Sequence, residues 1–258
     1  MSVLTNRTKD LVRGSYPRYP CILLIDTSSA MQQDGRIAQL NAGLHTLKRT
    51  ICDQAGASSR VDIAIVTFSD RVSLDMDWTL AIDFEPPMLQ AAGKRAMCHA
   101  ILEAIALAKH RKEVYKDRAI RYSRPWIFMI SYGEPTDPEL LGEAKAALRV
   151  VEQDSVKLTF CAIGLPGANM DFLRELSINP AFEMKRPAFD DVFQWIGISA
   201  SREPETEAVR QLKRDGAITD ITDVRPSRPP RALLVPPPAN VLDTLPSSLI
   251  PTSRQEKA

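Results

Sequence analysis

Short unbroken apolar runs alternate with stretches of helical periodicity along most of this chain. The run CILLID (Cys21 to Asp26) stops abruptly in polar residues, which suits a central parallel strand buried on both faces. After a turn at Asp34-Gly35, apolar residues fall at Ile37, Leu40, Leu44, Leu47 and Ile51, spaced as one face of an amphipathic helix. VDIAIVTF (Val61 to Phe68) predicts a second strand, and Val72 to Leu80 an antiparallel edge strand joined to it by a hairpin-length turn at Ser69-Asp70. Glu85-Pro86-Pro87 breaks the chain before a second helix lined by Met97, Ile101, Ile105 and Ala108. WIFMIS (Trp126 to Ser131) is a further buried strand, and Pro138 opens a helix carrying Leu140, Ala144, Ala147 and Val151. The strand VKLTFCAIG (Val156 to Gly164), a short helix at Asn169 to Leu176, a strand at Phe182 to Lys185 and a helix from Asp190 to Ala200 complete the series.

Parallel strands need crossovers of this length, and right-handed crossovers place helices on both faces of one sheet. The expected fold is therefore a doubly wound, mostly parallel open α/β sheet with one antiparallel edge strand. Three segments are expected: a flexible lead at 1–18, one folded domain at 19–201, and a tail at 202–258. The tail contains RPSRPP and VPPPAN, a proline density that favours extended, solvated chain. Within it, Ala232 to Val235 and Val241 to Ile250 carry some apolar residues that could serve as short docking motifs, but a disordered tail is the favoured reading.

Composition narrows the function classes. A formal charge of +1 over 258 residues gives no electrostatic reason to expect nucleic acid or an anionic membrane as partner. No run approaches the roughly 20 apolar residues of a membrane span, and MSVLTNRTKDLVRGSYPRYP lacks the apolar core of a secretory signal. Cys21, Cys52, Cys98 and Cys161 form no C-x-x-C pair and fit reduced thiols of a cytoplasmic protein.

In a doubly wound sheet, ligands bind outside the carboxyl ends of the strands. Three loops there carry the candidate chemistry: after Asp26, before Met97 and after Ser131. The first reads Asp26-Thr27-Ser28-Ser29-Ala30-Met31 and resembles the D-x-S-x-S motif of von Willebrand factor type A domains. DFEPPMLQAAGKRAMCHAILEA (Asp83 to Ala104), YSRPWIFMISYGEPTD (Tyr122 to Asp137) and FDDVFQWIGISAS (Phe189 to Ser201) extend the resemblance to the type found in TerY tellurium-resistance proteins. The third-loop block carries most of the specificity, and the match runs from about Tyr19 to Ser201 in order.

The resemblance implies a metal-ion-dependent adhesion site, in which an aspartate and two serines from the first loop, a threonine from the second and an aspartate from the third hold magnesium. Such an ion needs near-octahedral oxygen ligands. Here Asp26 and Ser28 match. The second serine is Ala30, the threonine position is Arg95 and the third-loop aspartate is Tyr132. Three of the five are gone, and one replacement is a permanent cation that repels a divalent ion. The site is thus expected to be degenerate, with no metal and no cofactor. Two readings of Arg95 stand side by side. Either its guanidinium takes the metal's place, donating to Asp26 and to Ser28 or Tyr132, or the site has simply drifted.

Cys98 lies at a helix start beside Lys94 and Arg95, where its thiol could be activated, and His99 follows it. Adjacent helical residues diverge and no orienting carboxylate is evident, so a packed cysteine is the favoured reading. Asp34, Glu134 and Asp137 lie near the same face. They could rebuild a weak magnesium or calcium site with Asp26 and Ser28, but Asp137 before Pro138 reads as a helix N-cap. Lys109-His110-Arg111-Lys112 with Arg118, Arg121 and Arg124 reads as a solvated helix end and loop. The leading expectation is a non-enzymatic protein–protein interaction module. Its docking surface comprises Asp26, Ser28, Ala30, Arg95, Tyr132 and Glu134. The resemblance implies bacterial stress response or phage defence and phospho-signalling with a Ser/Thr kinase and phosphatase as partners. The alternatives are a metal-dependent adhesion-type domain with rearranged ligands, a Cys98 enzyme, and binding through the tail.

Overall fold

The computed structural model describes residues 16–153, 158–177, 179, 181–184, 188–201 and 234–235. Its centre is a seven-stranded sheet. β1 (Tyr19–Asp26) lies between β2 (Val61–Phe68) and β4 (Trp126–Ser131), parallel to both. β3 (Val72–Leu80) pairs antiparallel with β2 at one edge, with register irregularities between Ile63 and Val66. On the other side β5 (Thr159–Gly164) and β6 (Phe182–Met184) continue in parallel. The two-residue β7 (Leu234–Val235) then adds an antiparallel pairing to β6. The order β3-β2-β1-β4-β5-β6-β7 reverses direction of growth at β1, so the carboxyl ends of β1 and β4 open onto the crevice expected of a doubly wound sheet.

Every residue of β1 and β2 is buried, which is why these segments read as continuous apolar runs rather than alternating ones. Cys21, Leu23 and Ile25 of β1 face one core layer; Ile22 and Leu24 face the other. The first layer is covered by α1 (Arg36–Asp53) and α5 (Phe189–Ser201). The second is covered by α2 (Met97–Asp117), α3 (Leu141–Gln153) and α4 (Met170–Leu176). Leu40, Leu44, Leu47 and Ile51 of α1 are fully buried, as their spacing requires. Gly43 lets α5 approach, because a Cβ there would meet the Phe193 ring. Asn169 caps α4 by accepting the Phe172 amide at 3.1 Å.

At the end of the sheet opposite the crevice, a buried polar cluster ties the fold shut. Asp62 at the start of β2 accepts Arg111 Nη2 at 2.9 Å, Arg18 Nη1 at 3.5 Å and the Tyr115 hydroxyl. Burial and the Asp62 carboxylate hold the Tyr115 phenol well above its ordinary range. Two expectations change here. Arg18, assigned above to the flexible lead, is one of the largest fully buried side chains, held at the edge of the domain by its bond to Asp62. Arg111, assigned to a solvated basic run, is buried between Trp78, Tyr115 and Asp62, because it lies on the inward face of α2. Residues 1–15 of the lead, Lys185, and the tail apart from 234–235 lie outside the described residues.

Candidate functional site

β1 delivers Asp26 to its carboxyl end, where the side chain is completely buried. A carboxylate in that position needs hydrogen bonds to remain charged. It receives four. The Ser28 amide donates to Oδ1 at 2.9 Å, closing a local turn. Arg95 Nε at 2.7 Å, the Ser131 hydroxyl at 2.9 Å and the Tyr132 amide at 3.1 Å all donate to Oδ2. β4 supplies the last two donors because its end lies beside that of β1.

Arg95 comes from the loop between β3 and α2, and the chain fixes it at both backbone groups. Its amide donates to the Thr136 hydroxyl at 3.0 Å, while its carbonyl accepts the Thr136 amide at 2.8 Å. The neighbouring Lys94 amide donates to Asp70 at 2.9 Å. Gly93 is needed there: its φ is +76°, and a Cβ would run into the Asp70 carboxylate. Gly93 in turn accepts both the amide and the hydroxyl of Ser29 at 3.0 Å. The guanidinium thus enters the crevice on a rigid support. Nη2 donates to the Ser28 hydroxyl at 3.2 Å, and Nη1 to the Glu134 carbonyl at 2.9 Å. One side chain therefore joins the first, second and third loops. Its side chain is only 13% exposed.

The structure brings Asp26, Ser28, Arg95, Tyr132 and Glu134 together, with Ala30 on the adjoining Ser29–Gly35 segment. Tyr132 does not receive the arginine as a hydrogen-bond partner through its hydroxyl. Its amide serves Asp26, and its ring lies 5.9 Å from the Arg95 guanidinium carbon. The Glu134 carboxylate turns away to Asn169. Arg36, unnoticed in the sequence because it reads as the first residue of a helix, lies over the opposite part of this group. Its guanidinium carbon is 4.5 Å from the Tyr132 ring centroid.

These residues do not fit a divalent cation. Both matching ligands, Asp26 and Ser28, direct oxygens at a guanidinium, and the remaining Asp26 acceptors are taken by chain N–H and O–H donors. The rearranged set finds no support either. Asp34 pairs with Arg36 at 3.2 Å. Asp137 accepts the Cys98 and His99 amides at 3.2 and 2.8 Å, so it caps the start of α2 rather than the 3-10 turn at Pro138, where it makes no side-chain cap. Among the described residues no group of three or more His, Cys, Asp or Glu is placed to share an ion.

Cys98 is fully buried. Burial, and then the charge of Asp137, push its thiol up to about 12, opposite to what an attacking thiolate requires. His99 pairs with Glu103 at 3.5 Å on the exposed side of the helix, away from the thiol. Cys21, Cys98 and Cys161 are buried free thiols, and Cys52 is an exposed one.

No family profile matches the chain by sequence, and no curated protein matches it significantly. Solved structures match by fold. The pilus adhesin SpaC from Lactobacillus rhamnosus GG superposes with a TM-score of 0.58 at 12% identity, over 73% of this chain and 30% of its own. A point mutant of the PilB minor pilin from Streptococcus sanguinis gives 0.51 at 10% identity, over 74% and 62%. The ArnB paralog VWA2 from Sulfolobus acidocaldarius gives 0.47 at 17% identity, over 73% and 45%. The chain spans less than two thirds of the length of each of these relatives. The fold shared with the adhesin and the pilin is a doubly wound, mostly parallel α/β sheet. The likeness at these identities is one of fold, and the relatives include adhesins and pilins. No helix among the described residues is long and apolar enough to cross a membrane.

Proposed function

We propose that this chain is a non-enzymatic protein–protein interaction module that docks a partner on the Asp26–Arg95–Tyr132 face without a metal ion. The observation that carries this reading is the Arg95 guanidinium, which bonds at once to Asp26, Ser28 and the Glu134 carbonyl. In a metal-holding site of this type, an ion neutralises the buried aspartate and ties the loops together. Here a guanidinium does both, and its charge is permanent because arginine does not deprotonate in proteins. The loops are thereby held in one arrangement with no cation to gain or lose. A preorganised, rigid surface lowers the cost of docking.

The resemblance to TerY-type domains adds the expected setting: a bacterial stress or defence response, in the cytoplasm, beside a Ser/Thr kinase and phosphatase. Partner capture tests the reading. The full chain is used as bait in parallel with 5 to 10 mM EDTA or magnesium (about a thousandfold above trace metal). A partner recovered equally in both, and lost on Arg95→Glu, supports a metal-free docking face. Loss of a confirmed partner on adding EDTA alone contradicts it.

A further inference from the structure

The two flanks of the sheet are finished in different ways. β3 is a nine-residue edge strand that carries Asp75 and Asp77 and pairs with β2 through register irregularities. Charge and irregularity of that kind discourage another strand from adding to an edge. β6 has three residues and sets Phe182 opposite Ile163 and Glu183 opposite Gly164 of β5. It is anchored to the core: Met184 is fully buried in the layer under α1 and α5, and Phe182 meets the Trp195 ring at 5.9 Å. The other side of its backbone is taken by the tail, with Val235 opposite Glu183 and Leu234 opposite Met184.

The sequence around those two residues suits them to an edge. Ala232-Leu233-Leu234-Val235 is the longest unbroken apolar run between Arg202 and Ala258. Pro229-Pro230 stand one residue before it, and Pro236-Pro237-Pro238 follow it. Pro236 biases Val235 toward extended backbone, which lowers the entropy lost on pairing. Prolines have no N–H to give a ladder, so the pairing ends with the apolar run, and prolines within sheets belong to edges. The 32 residues 202–233 join Ser201 to Leu234. Fully extended they span roughly 100 Å, against a diameter of roughly 40 Å for a folded unit of this size. The chain is thus long enough to lay this segment on its own β6 edge.

We propose that the outer edge of β6 is a strand-addition site for an extended aliphatic segment bounded by prolines, and that Leu234–Val235 is its built-in, displaceable occupant. The backbone of β6 supplies the bonds, and the ligand is taken up as an additional strand. This surface is independent of the Arg95 face, and the chain itself closes it. A free ligand of the same chemistry has to compete with a tethered one, so the site opens when the tail is withdrawn.

The test follows amide hydrogen exchange in the full chain. Bonded and non-bonded pairs alternate along an antiparallel ladder, so one of Glu183 and Met184 donates to the tail and one of Leu234 and Val235 donates to β6. Replacing both tail residues, Leu234→Pro with Val235→Pro, removes the tail's donor whichever it is. In this variant one amide of the 183–184 pair exchanges about 10-fold faster or more, while the amides of β1 keep the parent rate. A capped peptide, Arg-Ala-Leu-Leu-Val-Pro-Pro-Pro, restores its protection in the variant. The parent needs about 10-fold more peptide for any response, because its own segment occupies the edge. The same peptide with proline at its fourth and fifth positions restores nothing. Exchange at residues 183–184 that is equally fast in parent and variant, or an equal peptide response in both, overturns the proposal. Faster exchange in β1 of the variant also overturns it, since the segment would then be a fixed part of the core rather than a displaceable occupant. Protection in the parent that rises over an about 100-fold increase in protein concentration places a second copy's segment on the edge and overturns the built-in occupant.

Discussion

Replacing Arg95 with methionine removes the guanidinium while keeping most of the length of its stem. Asp26, completely buried, then loses its cationic partner among the described residues but keeps the Ser28 amide, the Ser131 hydroxyl and the Tyr132 amide. Breaking a buried ion pair on one side typically costs about 3–5 kcal/mol. Three surviving neutral donors and the partial exposure of Arg95 lower that figure to about 2–4 kcal/mol. For a folded unit of this size each kcal/mol moves the melting temperature by about 2–4 °C, so a fall on the order of 4–16 °C is expected. The companion change Asp26→Asn removes the stranded charge. In the Arg95→Met background it recovers part of the loss, giving a coupling between the two sites of about 1–3 kcal/mol. The assay is thermal or urea unfolding of the four proteins of this cycle in metal-free buffer. A melting temperature for Arg95→Met within about 2 °C of the parent, or strictly additive losses, refutes the reasoning, since an arginine of no structural consequence would give those results.

Five further outcomes are expected. The triple change Ala30→Ser, Arg95→Thr and Tyr132→Asp restores the oxygen set implied by the resemblance and should gain stability with millimolar magnesium, read by calorimetry and thermal shift. Asp62→Ala should destabilise by about 3–5 kcal/mol in urea unfolding, because Arg111 and Arg18 are left buried around an empty position. Asp137→Ala should cost about 1–2 kcal/mol through the uncapped start of α2, with Asp137→Asn costing less. Burial raises Cys21 and Cys98 from an ordinary 9.0 to about 12. The folded state therefore keeps protons that the unfolded chain releases, so stability is full below about pH 8.5 and declines as pH rises from there through 12. At neutral pH only Cys52 should react quickly with a thiol reagent, with the buried thiols following on unfolding.

The sheet was legible because its central strands are buried on both faces and its helices on one. Those burial patterns write themselves into sequence as CILLID and VDIAIVTF, and as the Leu40, Leu44, Leu47, Ile51 spacing. Arg95 was legible through its position opposite Asp26 in the ligand set. Partners brought in from far along the chain were not. Asp137 lies before Pro138, so local spacing assigned it to the wrong helix, although its carboxylate reaches α2 across 38 and 39 residues. Arg111 sits in a basic run whose solvated appearance hides the one position turned toward Asp62. Arg36 gave no signal because nothing local marks a helix-opening arginine whose nearest aromatic ring lies on Tyr132. Each miss has the same cause: polar residues take their role from tertiary neighbours, whereas apolar periodicity is set by the element itself.

The most direct measurement is the melting temperature of the metal-stripped chain titrated with magnesium, manganese and calcium into the millimolar range, alongside Asp26→Ala. If the Arg95 guanidinium holds the position of the ion, the parent melting temperature does not move with any of the three cations. A rise with cation concentration that is lost in Asp26→Ala would contradict the account and return a metal to the site.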